Sequence, residues 1–295
     1  MGGDLGYRAK YFALSFGAAS LVFVLFFYMM LSGAPTGGNT AAPVSLLQPA
    51  EVYQPSETDS LTLLVFGSER MNTPADTFVL LRFDPVGGVV GVAAFPPQTV
   101  IVSAGREETL ADAFRLGGAV YTRDALAACL NIPIDRFARV SLSGFVTAAA
   151  AVGSVAFELS EPITLADGDL AVTLNAGPQL LDGRQVAALI RHTGYPEGEL
   201  GRASMTAQLV AAIIDQRIDI VNSTLIDRIF ETVINLLDTD FTFSDYIRRQ
   251  NGARLMADSG QPIARIVELA GTFSEDGSRF ELADTTRTAL TMRFL

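Results

Sequence analysis

The residues best suited to chemistry in this sequence are two arginines at predicted helix ends and one acid ahead of a predicted strand. Arg202 is expected to begin a helix directly after Gly201, and because a helix N-terminus presents backbone amides to anions, it marks a candidate anion site. Arg191 is expected to end a helix, where a cation also has a structural role, since it complements the helix dipole. Asp76 precedes a strand, where it either serves a site or caps a turn.

The basic residues are almost all arginine, because Lys10 is the only lysine among 21 lysines and arginines. The planar guanidinium group binds phosphates and carboxylates through two parallel hydrogen bonds. Genomic base composition explains the same bias, since arginine codons are rich in G and C and the chain is also rich in alanine and glycine. The excess of arginine therefore permits phosphate recognition without requiring it.

Counts of the remaining reactive residues exclude several classes of site. Cys129 is the only cysteine and His192 the only histidine in 295 residues, so a disulfide framework, a cysteine-cluster metal site and a two-histidine zinc site are ruled out. The 32 acidic residues give a formal net charge of −11. That balance argues against nucleic acid as a partner, since general nucleic-acid binding needs a basic surface.

The first 60 residues indicate a membrane anchor followed by a linker. Residues 11–34 carry no charge, and a helix needs about 20 apolar residues to cross a bilayer. Arg8 and Lys10 precede this stretch, so the positive-inside rule predicts a cytoplasmic N-terminus of residues 1–10, a single span, and a domain outside the cell membrane. Residues 35–59 are rich in Pro, Gly, Ser and Thr, as expected of an extracytoplasmic tether.

The rest of the sequence alternates apolar strand-like runs with amphipathic helices without strict order. This pattern predicts an α/β fold, with a central mixed β-sheet flanked by helices, for the domain at 60–250. A tail at 251–295 is expected to pack on the same domain. Predicted strands are 61–66, 77–83, 89–94, 137–142, 154–159, 170–174 and 288–294, and predicted helices include 109–117, 122–130, 144–152, 182–191 and 203–220.

Four blocks of residues 58–250 resemble the LytR-CpsA-Psr family of cell-envelope proteins. The first is the strand LTLLVFG, and the second is ADTFVLLRFDPVGGVVGVAAFPPQTVI, which is similar to that family's SDT element, strand, turn, strand and PRDT element. The third is TLADAFRLGG followed by ALAACLNIPIDRFARVSLSGFVTAAAAVGSV. The fourth is LLDGRQVAALIRHTGYPEGELGRASMTAQLVAAII, which resembles a helix with a YvRxR element, a DfGR element and a further helix.

This resemblance implies a phosphotransferase that moves an anionic glycopolymer from a polyprenyl-pyrophosphate carrier onto peptidoglycan. It implies an apolar tunnel for the lipid, arginines that hold the pyrophosphate, and Mg²⁺ bound by an aspartate. The matching residues are Asp76 as the metal-associated acid, Arg191 and Arg202 as catalytic and substrate-binding cations, and Glu199 in place of the DfGR aspartate. Two phosphates are best held by such arginine forks together with a divalent ion.

The sequence also departs from the family at the predicted site. Arginines expected at four family positions are replaced by Pro74, Pro97, Thr193 and Met205, and Gln98 stands in place of an acid. Since loss of one preorganised donor costs about 2.7–4 kcal/mol in the transition state, the resemblance predicts a slow or inactive protein unless Arg70, Arg106 or Arg123 reaches the site.

Two alternatives remain open at the level of the sequence. One is a non-catalytic relative that binds the lipid carrier, the wall polymer or a partner protein. The other is an unrelated membrane-anchored structural module, which requires the resemblance to be accidental.

Overall fold

A computed structural model describes residues 53–165, 171–217 and 233–295. The predicted cytoplasmic segment at 1–10, the predicted span at 11–34 and the linker up to residue 52 lie outside these residues, as does the end of the helix predicted at 203–220. Within the three described ranges, no helix is both long and apolar enough to cross a membrane.

The centre of the domain is a six-stranded mixed sheet. Its strands are β1 (Leu61–Ser68), β2 (Ala75–Asp84), β3 (Val89–Phe95), β6 (Arg136–Ser141), β11 (Leu237–Thr239) and β12 (Ala264–Ile266). They lie in the order β11-β6-β1-β2-β3-β12. The β1–β2 and β2–β3 pairs are antiparallel, whereas β1–β6 and β3–β12 are parallel. Every residue of β1 is buried, which explains its mostly apolar sequence, since a strand covered on both faces does not alternate.

Eight short strands form two-stranded sheets around this centre. They are β4 (Val100–Ser103) with β5 (Arg106–Thr109), β7 (Val155–Leu159) with β10 (Gly177–Leu181), β8 (Ile163–Leu165) with β9 (Val172–Leu174), and β13 (Gly271–Phe273) with β14 (Phe280–Leu282).

Six α-helices in the described ranges cover the central sheet. They are α1 (Leu110–Leu130), α2 (Leu142–Val152), α3 (Gly183–Arg191), α4 (Gly198–Arg217), α5 (Phe243–Asp258) and α6 (Asp284–Phe294). Polar side chains fix several of their starts, because Thr109, Ser141, Asp182 and Thr242 each accept a hydrogen bond from a backbone N–H in the first turn.

The helices form one layer on each face of the sheet. Alternate β1 residues such as Leu63 and Val65 face a core built with α2, α3, α4 and α5. Their neighbours Leu64 and Phe66 face a second core built with α1 and α6. The period of two along each strand therefore divides the side chains between two cores. This arrangement confirms the predicted α/β class, with a central mixed sheet flanked by helices.

Three local predictions were wrong. Helix α4 begins at Gly198 rather than directly after Gly201, so Arg202 lies in its second turn and not at its N-terminus. The helices predicted at 109–117 and 122–130 are a single helix, α1, kinked at Gly118, whose φ of 67° is tolerated because glycine has no Cβ. The strand predicted at 288–294 is part of α6, where Leu290 and Phe294 are fully buried one helical turn apart. Thr288 and Thr291 suggest a strand by their propensity, but their hydroxyls donate to carbonyls four residues earlier in the helix.

Candidate functional site

Asp76 lies at a bulge where β2 begins. Thr77 pairs with Gly67 and Ala75 pairs with Ser68, so Asp76 is an extra residue between two paired positions. A bulge of this kind re-aims a side chain and often occurs beside functional sites. The Thr77 hydroxyl donates to Oδ1 of Asp76 at 3.3 Å, and Asp76 remains partly exposed. Its carboxylate is therefore held at the end of the sheet, where solvent can reach it.

Arg202 approaches the same segment from α4. Its Nη2 donates to the backbone carbonyl of Asp76 at 3.3 Å and forms an ion pair with Oε2 of Glu199. Only 6% of Arg202 is exposed. Burial lowers the pKa of its guanidinium below the usual value, and the nearby carboxylates of Glu199 and Asp76 counteract that shift. The structure thus brings together three residues predicted from the sequence, with a desolvated cation in the middle.

Arg191 is the last residue of α3 and is also buried. The connection from α3 to α4 is fixed by Tyr195, whose hydroxyl donates to the carbonyl of Leu189 at 2.7 Å. A Cβ on Gly201 would lie 2.9 Å from Cβ of Tyr195, so the start of α4 packs closely on this ring. His192 packs edge-on against the same ring, with centroids 4.9 Å apart. Burial raises the pKa of Tyr195, and the Arg202 cation opposes that rise, so this tyrosine lies within electrostatic range of Arg202.

Arg139 on β6 is a site residue that the sequence-based prediction missed. Its Nε donates to Oγ of Ser68 at 3.1 Å, and its Nη2 donates to the carbonyl of Thr73. Its guanidinium carbon lies 5.1 Å from the ring centroid of Phe114. Burial lowers the pKa of Arg139, and Asp238 on the neighbouring strand counteracts this. Arg139 and Arg202 therefore reach the 73–76 segment from opposite faces of the sheet.

Glu69 is a second residue that the prediction missed. It directly follows β1 and is only 8% exposed, and it is one position beyond Ser68, which pairs with Ala75. A buried carboxylate needs compensating charge or hydrogen bonds. Two signals in the sequence could have identified these residues. Glu69 is an acid directly after an apolar strand, and Arg139 is an arginine within a predicted strand.

The arginines considered as substitutes for the missing cations lie in different settings. Arg106 pairs with Glu108 at 3.3 Å. Arg123 is shared between Asp124 at 2.8 Å and Asp240 at 2.6 Å. Arg106 and Arg123 are thus held by acids other than those around Asp76. Arg70 lies in the exposed loop from β1 to β2, where its amide donates to Oγ1 of Thr73, so it belongs to the same loop as the site.

The carboxylates near Arg202 fit a divalent ion that is held jointly with substrate phosphates. No cluster of three or more potential ligands among His, Cys, Asp and Glu occurs in the described parts of the chain. Magnesium usually takes one or two carboxylates plus phosphate oxygens and waters rather than an all-protein cage. Asp76, half-buried at the bulge, fits that requirement.

A cavity of about 210 Å³ adjoins this site on the outer side of α4. Its wall includes Met205, which occupies a position where the resemblance calls for an arginine. The other lining side chains are mixed: Leu159, Ile163 and Pro196 are apolar, whereas Glu161, Glu197, Ser204 and Gln208 are polar. At that position the structure therefore places a thioether in a cavity of mixed polar and apolar lining instead of a guanidinium.

Comparison with known proteins decides the family. The model described as the LytR_cpsA_psr family matches residues 27–268. This chain belongs to the LytR-CpsA-Psr family. The polyisoprenyl-teichoic acid–peptidoglycan teichoic acid transferase TagU of Bacillus licheniformis is 22% identical over 200 residues, which cover 66% of this chain and 64% of that protein. The chain therefore spans less than two thirds of the length of that relative.

Solved structures share the fold of this family member. A protein of Eubacterium siraeum has a TM-score of 0.74 at 17% identity, covering 86% of this chain and 98% of that one. Bacillus subtilis TagV has a TM-score of 0.68 at 20% identity, covering 81% of this chain and 98% of that one. At these identities the likeness establishes the fold alone.

Proposed function

We propose that this chain is a membrane-anchored extracytoplasmic transferase that moves an anionic glycopolymer from a polyprenyl-pyrophosphate carrier to peptidoglycan at a reduced rate. The observation that carries the proposal is the convergence of Arg202 and Arg139 on the 73–76 segment. A buried and a half-buried guanidinium group beside one partly exposed carboxylate suit a substrate with two linked phosphates. Family membership and the similarity to TagU support cell-wall biogenesis as the setting.

In this proposal the residues of the site hold and orient the substrate. Arg202 and Arg139 bind phosphate oxygens, Arg191 adds charge at the end of α3, and Glu199 orients Arg202. Asp76 is the residue that would hold magnesium, and the ion would neutralise negative charge on the phosphates when bound. Preorganised cations of this kind stabilise charge that develops during phosphoryl transfer.

The reaction exchanges a phosphoanhydride bond for a phosphate ester bond. A hydroxyl oxygen of peptidoglycan forms a bond to the phosphorus that carries the polymer, and the bond from that phosphorus to the bridging oxygen breaks. Polyprenyl phosphate leaves, and the hydroxyl proton passes to a base or to solvent. Because no oxidant or further co-reactant is needed, positioning and charge are what the protein must supply.

The proposal is tested with the full chain in vesicles that contain a polyprenyl-pyrophosphate-linked anionic glycopolymer, with soluble peptidoglycan fragments and magnesium added. Release of polyprenyl phosphate and labelling of peptidoglycan are measured together. Arg202→Ala and Asp76→Asn should each lower the rate about 100- to 1000-fold, the usual effect of removing one preorganised group. The matched controls Arg265→Ala and Glu281→Gln change exposed residues and should leave the rate unchanged.

A non-catalytic binding protein is the second candidate function. The replacement of family arginines by Met205, Pro74 and Thr193 favours it, because each missing fork weakens charge stabilisation. The same assay separates the two functions. Carrier binding without turnover by the wild-type chain would establish the second, whereas equal rates for wild type and Arg202→Ala would rule out the proposed site.

A further inference from the structure

Helix α5 lies across the end of the sheet opposite to the candidate site. Near its start, Asp245 accepts a hydrogen bond from Nε of Arg136 at 2.9 Å, at the beginning of β6. One turn later, Arg249 donates to the carbonyl of Ser60 at 3.0 Å, just before β1. Further along, Gly252 packs on the turn that follows β2. Strand β1 runs from this end of the sheet to the site, and its eight residues span about 25 Å.

The outward face of α5 carries large apolar side chains. Phe243, Ile247 and Leu255 are 63%, 47% and 49% exposed. Positions 243, 247, 251 and 255 are four residues apart, so they lie along one ridge of the helix, and Asn251 occupies the position between Ile247 and Leu255. The opposite face of α5 is already buried, and it contributes Tyr246, Ala253 and Met256 to a core. The outward ridge is therefore apolar surface beyond what the fold requires.

Charged residues on this exposed side of α5 are mainly basic. Arg248 is exposed and Arg254 is partly exposed, one on each flank of the apolar ridge. Asp258, at the C-terminal end, is the exposed acid of the helix. An apolar ridge flanked by arginines suits a phospholipid surface, where apolar groups enter the acyl boundary and cations meet the phosphates. This local basic character contrasts with the acidic balance of the whole chain.

The chain enters the domain beside this helix. Tyr53 donates to Asp59 at 2.8 Å, and its hydroxyl lies close to Gly252 of α5. Residues 35–52, rich in Pro, Ala and Gly, separate the apolar stretch at 11–34 from Tyr53. A chain of 18 residues spans at most about 60 Å. The linker therefore keeps the α5 end of the domain close to any bilayer that holds the apolar stretch.

We infer that the outward face of α5 docks on the lipid bilayer, with Phe243, Ile247 and Leu255 at the boundary between head groups and acyl chains. The inference rests on the membrane anchor of the proposed function. Docking places α5 against the membrane and the Asp76–Arg202 site about 25 Å above it, so the pyrophosphate of a carrier must rise out of the head-group layer to bind there. The bilayer is favoured over another protein because the linker holds this face near lipid at all times.

The test uses the full chain in vesicles of phosphatidylethanolamine and phosphatidylglycerol. In a Cys129→Ala background, Asn251→Cys on the ridge is labelled with a fluorophore sensitive to polarity. Val120→Cys on α1 is the matched control, because Val120 is 49% exposed, as is Leu255, and lies on a different helix. We expect the label at 251 to shift its emission to shorter wavelength and to be quenched by lipids with a spin-labelled acyl chain. The label at 120 should show neither change.

Adding Phe243→Ser and Leu255→Ser should abolish the shift and the quenching at 251 while the thermal unfolding of the domain stays cooperative. If the protein stays with the vesicles after a carbonate wash but the label at 251 is not quenched, docking is overturned and the anchor stands. Loss of the chain in that wash would overturn the anchor itself. Energy transfer between labelled copies that rises with their density, without lipid quenching, would assign this face to a second copy instead and refute the inference.

Discussion

The Arg202→Lys substitution keeps the positive charge of the candidate site and removes its planar fork. In the structure the guanidinium reaches the Glu199 carboxylate and the Asp76 carbonyl together. Both contacts are made by the same nitrogen, Nη2. A lysine ammonium is a point charge on a flexible stem, so it can retain the ion pair, but it has no second coplanar nitrogen with which to hold a phosphate oxygen. This variant therefore separates the contribution of charge from the contribution of shape.

The expected cost to stability is small. Lysine gives up a single long hydrogen bond to a neutral carbonyl, at 3.3 Å, and such a bond contributes about 1 kcal/mol. For a domain of this size that corresponds to a fall in Tm of about 2–4 °C. Arg202→Ala should lower the free energy of unfolding by about 3 kcal/mol, because it leaves the Glu199 carboxylate without its cation. The loss is moderate because 27% of the Glu199 side chain is exposed to solvent.

The expected cost to activity is large, because a fork aimed at developing phosphate charge is worth about 100-fold or more in rate. Thermal unfolding by circular dichroism and glycopolymer transfer in vesicles are measured on the same preparations. Arg265→Lys is the control, since this exposed arginine also donates to two carbonyls, at 3.0 and 2.8 Å. If Arg202→Lys transferred polymer at the wild-type rate and lost as much stability as Arg202→Ala, Arg202 would be a structural residue only.

Two further predictions concern buried charges. Arg139→Gln should lower the transfer rate about 100-fold and the free energy of unfolding by only about 1 kcal/mol, and an unchanged rate would remove Arg139 from the site. Burial raises the pKa of Asp245, but hydrogen bonds from Arg136 and Thr242 outweigh this and leave it below its usual value. Its stabilisation is therefore complete above about pH 3.9 and lost as pH falls through the lowered pKa. Asp245→Asn should lower Tm at pH 7, and the gap from wild type should close in acid; a gap independent of pH would contradict this.

The sequence predicted best those elements whose pattern is local. The buried strands at 61–66 and 77–83 are mostly apolar runs between turn residues, and each lies within an observed strand. Asp182 begins a helix in the structure as it does in the prediction, because the capping box needs only the next three residues. Arg191 and Arg202 were located through motifs of the same local kind.

Residues that depend on distant partners were missed. Arg139 lies at the site because β6 pairs in parallel with β1, about 70 residues earlier, and places it beside Ser68 and Thr73. No local pattern around Arg139 contains that pairing. The helical state of 288–294 was missed for a similar reason, since burial of Leu290 and Phe294 against the sheet outweighs the strand propensity of the threonines.

The position of Arg139 also changes how the missing family arginines are weighed. Its guanidinium donates to the carbonyl of Thr73, the residue immediately before Pro74, so a cation reaches the position where Pro74 replaces an arginine, but from a different strand. The site then holds three arginines and three acids, namely Arg139, Arg191, Arg202, Asp76, Glu199 and Glu69, and their formal charges cancel. A pyrophosphate in an otherwise acidic domain gains little attraction from a neutral cluster. A site that keeps every family arginine has an excess of positive charge of its own. Carrier binding by this chain should therefore depend more steeply on the concentration of divalent cations than carrier binding by such a site.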